Sequence, residues 1–559
     1  MSSSTKTLPV GPVRSDRAHS RAPRMRRDGA DAVRLVLWLI IAALVLVPLV
    51  AIVVLAAGDN RFGLLLEGDV LEAGINSIVS ALASGLGAVL LGTAFALLLE
   101  RTDLRGRRAL RLIALSPLLV PPFVGAIAWI GVAGPVSPVN RAWSDAFGSP
   151  LWSIYGGDGV IFLLIVHSYP IAMLIVTAAL RRIPTDLEQA ARISGASATG
   201  ALATVTLPLL RPAMLSSFVL VSVGNLADFG IPSIVGTPEQ YVTLSTLVYR
   251  YIQSGTVDDP LSVVATVGVV LLVLAILGLV ADTVLGRRRW ELDASTTPPA
   301  RLRLGRARPL VGTLTWLVVS ALTVLPLLAL VSQSLLPAPG VPLTAENVSL
   351  DNFSRVLSSP IVTEGAANSL MLAVLAGLIC GIVGLAIGTV TTRTRARDNA
   401  ALSAVALFPQ AIPGLVIAVA WLVIAPHIGL FNTPWLILCA YVTSFLALVV
   451  QSVAAPLRSI PLVAEEAARI SGATRLRALF DISWRLALPA ALSGAVLVAL
   501  TAVRELTLSV LLLSPGSQTL GVAIFNLQQA GAYNAASTLS LLVTVVGLVG
   551  LGLAGRSTR

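Results

Sequence analysis

The sequence predicts an all-α integral membrane protein. About twelve transmembrane helices form two homologous six-helix halves related by a pseudo-two-fold axis. Three observations lead there. First, the 559 residues are 56% hydrophobic and only 12% charged, whereas soluble domains carry about 25% charge. Second, the apolar runs exceed the roughly 18 residues that mark a spanning helix and lack the alternation of a half-buried strand. Backbone buried in lipid must satisfy its own hydrogen bonds, and continuous helices do so. Third, the chain repeats itself: Glu188 to Ala196 reads EQAARISGA and Glu465 to Ala473 reads EEAARISGA, 277 positions later.

Residues 1–32 form a polar, Arg-rich tail. The apolar run after it, about 25 residues, is too long for a signal-peptide core, so it is read as an uncleaved first helix. The spans are placed at roughly 33–57, 73–99, 109–133, 158–180, 212–235, 261–285, 309–335, 367–391, 400–425, 432–456, 486–513 and 532–554. Arg14, Arg17, Arg21, Arg24, Arg26, Arg27 and Arg34 put the N-terminus on the cytoplasmic side. Arg101, Arg105, Arg107 and Arg108, then Arg181, Arg182 and Arg192, mark the next inside loops. An even number of spans returns Arg556 and Arg559 to the same side. The net charge of +11 is thus an orientation signal with attraction to anionic lipid, and it argues for a bilayer rather than nucleic acid as partner.

Residues 286–308 are basic, contain proline and lack an apolar period, which reads as a cytoplasmic linker. It joins a first half at 33–285, with an inside loop at 181–211, to a second half at 309–555, with its loop at 457–485. Asn76-Ser77 matches Asn368-Ser369 at an offset of 292, as do Pro117, Pro121 and Trp129 with Pro409, Pro413 and Trp421. From the repeated phrase onward the offset is 277, and Pro184, Pro212 and Pro238 match Pro461, Pro489 and Pro515. The outside loop after the third span, long in the first half and short in the second, accounts for the change. Two units joined tail to head in parallel imply a two-fold axis along the membrane normal.

The repeated phrase suits a short helix that docks on a two-fold partner. Thr185-Asp186-Leu187-Glu188 fits a capping box, and Pro461 can be the first helical residue of the second copy. Gly195 and Gly472 are expected to end the helices in a left-handed cap. Ala190-Ala191 and Ala467-Ala468 leave little bulk, so each helix can enter a groove, with Glu188, or Glu465-Glu466, at its rim. The bland alternative is an interfacial connector helix, which has no reason to be near-identical in both halves.

At the same offset of 277, Asp228 aligns with Glu505 in the fifth span of each half, and Arg504 stands opposite Ala227. Ionisable groups at membrane depth cost several kcal/mol unless they face a cavity or a partner. The matched acids line a path or gate, or else Arg504 pairs with Glu505 or Asp228 as a structural ion pair. Gly230 and Pro232 beside Asp228 suit a kink. His19, His167 and His427 are scattered, and Cys380 and Cys439 sit in apolar segments. Neither set makes a metal site or a disulfide framework. No cluster of catalytic groups at one depth points to a membrane-embedded enzyme.

The phrase resembles the EAA loop of ABC importer permeases: Glu-Ala-Ala, three residues, Gly, nine residues, an aliphatic residue, one residue, Leu-Pro. The first copy runs Gln189-Ala190-Ala191, Gly195, Val205, Leu207-Pro208, with Gln189 in the Glu position. The second runs Glu466-Ala467-Ala468, Gly472, Ile482, with Trp484-Arg485 in place of Leu-Pro. The resemblance covers about 70–285 and 365–555. It implies that each loop forms a coupling helix on an ATP-binding subunit, present in two copies, and that an extracytoplasmic binding protein delivers the solute. It implies a bacterial plasma membrane location and no cofactor in this chain, with ATP and Mg held by the partner. A P-loop needs a lysine among glycines, and the one lysine here, Lys6, follows MSSST. The segments ADFGIPSIVG and RELTLSVLLLSP, with the fused layout, look most like the ferric-iron permeases of that superfamily. Thiamine and aminoethylphosphonate are carried by related fused permeases. The other transporter class is the major facilitator type, also twelve spans in two halves. Thr102-Asp103-Leu104-Arg105-Gly106-Arg107-Arg108 resembles its Asp-Arg-x-Gly-Arg-Arg loop, with Leu104 in an Arg position, but that class has no repeated coupling loop.

Overall fold

The computed structural model describes residues 28–59, 61–255, 258–286, 301–394 and 396–557. Arg14 to Arg27 of the basic tail, linker residues 287–300 and Arg559 lie outside the described residues. Within them the chain is helical, and its β-type pairing is the isolated parallel bridge between Thr102 and Leu302.

The first half contains α1 (Ala32–Asp59), α2 (Gly68–Arg101), α3 (Pro122–Ala133), α4 (Gly157–Leu180), the short α5 (Thr185–Ile193), α6 (Leu207–Leu226) and α7 (Pro260–Gly286). The second contains α8 (Arg308–Leu335), α9 (Pro360–Arg393), α10 (Gly414–Ile424), α11 (Pro434–Ser459), the short α12 (Leu462–Ile470), α13 (Arg485–Val503) and α14 (Tyr533–Ser557). Ten helices among the described residues are long and apolar enough to cross a membrane, and the bent pair at 399–428 makes eleven. The apolar part of α14, Tyr533–Val549, falls just short of that length.

The repeat survives in three dimensions almost residue for residue. Helices α2 and α9 each have 34 residues, and their ends differ by the sequence offset of 292. Their packing faces are built from small residues, because helices in lipid associate through close contact rather than through hydrophobic expulsion. A Cβ on Gly92 would lie 2.7 Å from the Tyr169 carbonyl oxygen, and one on its counterpart Gly384 would lie 2.8 Å from Val449 Cβ. The opposite faces expose Leu86 and Leu90 on α2, and Leu378 and Ile382 on α9, to the surroundings.

Four predicted spans are broken, and proline chemistry accounts for two of the breaks. The third span is a helix at Arg107–Ala114, a 3-10 turn at Ser116–Leu119, then α3. Pro121 and Pro122 lack the N–H groups that would continue the ladder. Its counterpart bends by 106° around Ile412-Pro413. The fifth spans end early: α6 stops at Leu226 rather than 235, and α13 at Val503 rather than 513. Both stops fall just before the ionisable residues.

The first helix of each half crosses to the other half. α1 packs against α7 of its own half and α10 of the other, while α8 packs against α14 and α3. Each crossing is pinned by an aspartate in the loop after the second span. Asp398 accepts the Trp38 indole N–H at 2.9 Å and lies 3.6 Å from Arg34. Asp103 accepts the Leu304 backbone N–H at 3.1 Å and lies 3.6 Å from Arg308. The Leu304 amide, with Arg308 and Arg303 nearby, holds the Asp103 carboxyl below the usual carboxylate range. Asp103, the acid that resembled a major-facilitator loop, thus serves as an anchor for the other half.

Candidate functional site

The repeated phrase forms α5 and α12, two nine-residue helices. Each stops in a Schellman turn, as the glycines predict. Gly195 has φ +96°, its N–H bonds the Arg192 carbonyl at 3.1 Å and the Ala196 N–H bonds the Ala191 carbonyl at 3.0 Å. Gly472 has φ +93°, with bonds of 3.1 Å to Arg469 and 3.0 Å from Ala473 to Ala468.

The N-terminal expectation needs correction. Helix α5 has no side-chain cap, and the Thr185 hydroxyl is buried without a partner. Glu188 turns instead to the buried Arg101 at the end of α2, at 3.3 Å, and accepts a hydrogen bond from the Thr206 hydroxyl. The second half repeats this: Glu465 lies 3.4 Å from Arg393 at the end of α9 and accepts from the Ser483 hydroxyl. Both hydroxyls sit in π-helical turns, Leu202–Thr206 and Leu479–Trp484. So Glu188 and Glu465 are not at a rim; a buried charge outcompetes a local cap because leaving Arg101 or Arg393 unpaired would cost more than losing the cap.

What the helices present outward is a hydrophobic knob flanked by polar and small residues. Ile193 is 88% exposed and its counterpart Ile470 87%. Gln189 and Ala190, and Glu466 and Ala467, are exposed beside them, while Ala191 and Ala468 are half-buried. Isoleucines this exposed at matched ends of two small-faced helices are suited to filling pockets in a partner. Neither isoleucine stands out in the repeated phrase, and from the sequence Arg101 reads only as an inside-loop charge. The signal was present, since Arg101 and Arg393 match at the offset of 292.

The second cluster lies at the broken fifth spans. Asp228 accepts the Ile231 N–H at 2.9 Å, and Glu505 accepts the Leu508 N–H at 2.8 Å. Each acid caps the helical turn beyond its break, at equivalent positions. Both line two cavities between the halves. One, about 240 Å³, also has Phe123, His167, Arg504 and Thr501 on its wall. The other, about 340 Å³, is bordered by Gln410, Gly414 and Asp282 and has no basic residue on its wall. The structure therefore brings Asp228 and Glu505 to one shared space.

The alternative pairing of Arg504 with either acid is not formed. Arg504 donates to the Leu500 carbonyl at 3.1 Å and, across the halves, to the Leu119 carbonyl at 2.8 Å. Pro122 has no N–H to offer Leu119 in a 3-10 turn, and Arg504 satisfies that acceptor. Pro232 opens a π turn, Pro232–Gly236, after the break, and Gly230 packs where a Cβ would meet Phe123 Cβ at 2.9 Å. Beyond the breaks Phe229 and Phe525 meet across the halves, with ring centres 5.6 Å apart.

Comparison with known proteins agrees with this architecture. The family described as binding-protein-dependent transport system inner membrane component matches twice, over 88–291 and 373–557. The chain is 26% identical over 482 residues to a Haemophilus influenzae protein named Fe(3+)-transport system permease protein FbpB 2, covering 84% of this chain and 87% of the relative. It is 24% identical over 496 residues to a ferric transport system permease protein of Actinobacillus pleuropneumoniae, covering 86% and 70%. A Mycobacterium tuberculosis molybdenum transport system permease is 31% identical over 242 residues, covering 43% of this chain and 90% of that one. With two copies of the family unit spanning most of its length, this multi-pass membrane protein belongs to the binding-protein-dependent transport system inner membrane components, the permeases of ABC importers.

Proposed function

We propose that the protein is the membrane channel of an ATP-driven iron(III) importer. Two copies of a separate ATP-binding subunit grip α5 and α12 on the cytoplasmic side, where both termini also lie. Residues 33–285 and 309–555 are the two halves, and 286–308 is the cytoplasmic linker between them. An extracytoplasmic binding protein releases the solute into the space between the halves.

The observation that carries the coupling role is the matched pair of exposed isoleucines, Ile193 and Ile470, on helices fixed from behind by equivalent Arg–Glu–hydroxyl sets. A helix so braced moves as one piece with the long helix behind it. ATP-driven closure of two subunits would pull α5 and α12 together and, through Arg101 and Arg393, swing α2 and α9. That motion would switch the opening of the central space from the inside to the outside, and hydrolysis would reset it.

Iron(III) is favoured by the names of the two long relatives and by charge. Asp228 and Glu505 face both central cavities, whereas Arg504 faces one and is held by carbonyl groups. Carboxylates on the wall favour a cation and repel an oxyanion such as molybdate. No permanent metal site is needed, because a path must release what it carries.

The test is uptake in proteoliposomes containing this chain, its ATPase and its binding protein, with radioactive iron(III) and molybdate supplied separately. ATP-dependent iron uptake supports the reading. ATP-dependent molybdate uptake without iron uptake assigns another solute. Uptake driven by a proton gradient without ATPase removes the coupling role altogether.

A further inference from the structure

Behind α5 lies a cavity of about 260 Å³ that the transport reading does not use. Its polar lining includes Arg101, Thr185, Arg192 and Arg301, with Glu188, Thr102 and Gln189, and apolar residues such as Leu98 and Leu302 complete the wall. Three arginines face one carboxylate. Arg101 is 3% exposed and pairs with Glu188 through Nη2, but its Nε and Nη1 have no hydrogen-bond partner. The Thr185 hydroxyl, 2% exposed, is also without a partner. Buried donors normally find acceptors, and two that border one cavity with two further guanidinium groups form a built anion cradle.

The cradle is assembled from three separate parts of the chain. Arg101 ends α2, Thr185 and Arg192 belong to α5, and Arg301 comes from the segment entering α8. That segment is fixed by the Leu302 N–H, which donates to the Arg101 carbonyl at 2.7 Å. The second half does not repeat it. Leu462 stands where Thr185 stands, and Arg393 spends Nη1 on the Ile460 carbonyl at 3.0 Å.

We propose that this cavity binds a phosphate-type oxyanion. Such a group offers several acceptor oxygens at once, which suits a guanidinium fork plus a hydroxyl. It would tie α5 to α2 and to the segment leading into α8, in the first half only. The same chemistry is presented by a free phosphate group in solution and by the headgroup of an anionic phospholipid, to which the apolar wall would offer a place for the first acyl carbons.

The experiment uses the purified full chain. Thermal melting is followed during titration with inorganic phosphate at constant ionic strength set by chloride. In parallel, native mass spectrometry detects phosphatidylglycerol retained through purification, and its return after delipidation. Saturable stabilisation by phosphate identifies a soluble ligand; retained and restorable phosphatidylglycerol identifies a lipid. In either arm Arg301→Gln and Thr185→Val should weaken binding on the order of tenfold, the usual effect of losing a strong hydrogen bond to a charged group. Arg469→Gln, the counterpart of Arg192 in the second half, should have no effect. If Thr185→Val does not fold, the exposed Arg301→Gln decides. No response to either probe, or equal responses from the wild type and Arg301→Gln, overturns the proposal, as does an equal loss in Arg469→Gln.

Discussion

Arg101 and Glu188 are 87 positions apart in the chain and 3.3 Å apart in space. Arg393 and Glu465 repeat the contact at 3.4 Å with 72 positions between them. The separations differ by 15, the change in offset between the two halves, and the contact is kept, through Arg101 Nη2 in one half and Arg393 Nε in the other. The difference in loop length lies far from these pairs and leaves both contacts in place.

Removing one partner strands a charge in a nearly closed site. Arg101→Met should destabilise the protein by about 3–5 kcal/mol, and the paired change with Glu188→Leu should cost much less than the sum. Thermal or denaturant unfolding in detergent, run as a double-mutant cycle, reads this directly. Additive losses would mean that the pair is not coupled.

Gly472→Ala places a Cβ where there is space but at φ +93°. The strain is about 1–2 kcal/mol, confined to the last turn of α12. The expected outcome is a nearly unchanged melting temperature with increased amide exchange at Ile470 to Ala473 and reduced ATP-coupled uptake. Gly472→Asp should have a larger effect on uptake. Normal uptake by both well-expressed variants would rule out a coupling role for this turn.

Ile193→Glu with Ile470→Glu alters only exposed surface, so stability should shift by no more than about 0.5 kcal/mol. Co-purification of the ATPase should be lost. Retention of the subunit at wild-type stoichiometry would show that these knobs are not its anchors.

Asp228→Asn and Glu505→Gln keep the cap acceptors and remove the charges. The folded protein should persist, and iron(III) uptake by the double variant should fall at least on the order of tenfold, as for loss of an interaction worth about 1.4 kcal/mol. Unchanged uptake would assign both residues to capping alone.

Much of this was legible because the chain states it twice. The equivalence of α2 with α9, the terminating glycines of α5 and α12, and the match of Asp228 with Glu505 all follow from two offsets, although α2 and α9 are both longer than the spans at 73–99 and 367–391. The breaks at Ala227–Asp228 and Arg504–Glu505 were not legible from hydropathy, since the residues after them are as apolar as those before. Their cause is a carboxylate capping a new turn, which is a hydrogen-bond event rather than a change in polarity. The inward turn of Glu188 was hidden for a related reason. Thr185 and Glu188 satisfy a local capping pattern, but Arg101 comes from another helix and a single charge contact decides the rotamer. The crossing of α1 and α8 has no periodic signature at all, because either half could have covered the same apolar face.

That crossing bears on how the protein is made. Helix α1 is synthesised early, and the surface it finally covers on α10 follows more than three hundred residues later. At about 5–20 residues per second, the first helix waits on the order of tens of seconds for its permanent neighbour. Until then the contacts of Trp38 and Arg34 with Asp398 are not made. The first half alone cannot complete the seam around α1, because half of that seam is supplied by the second half.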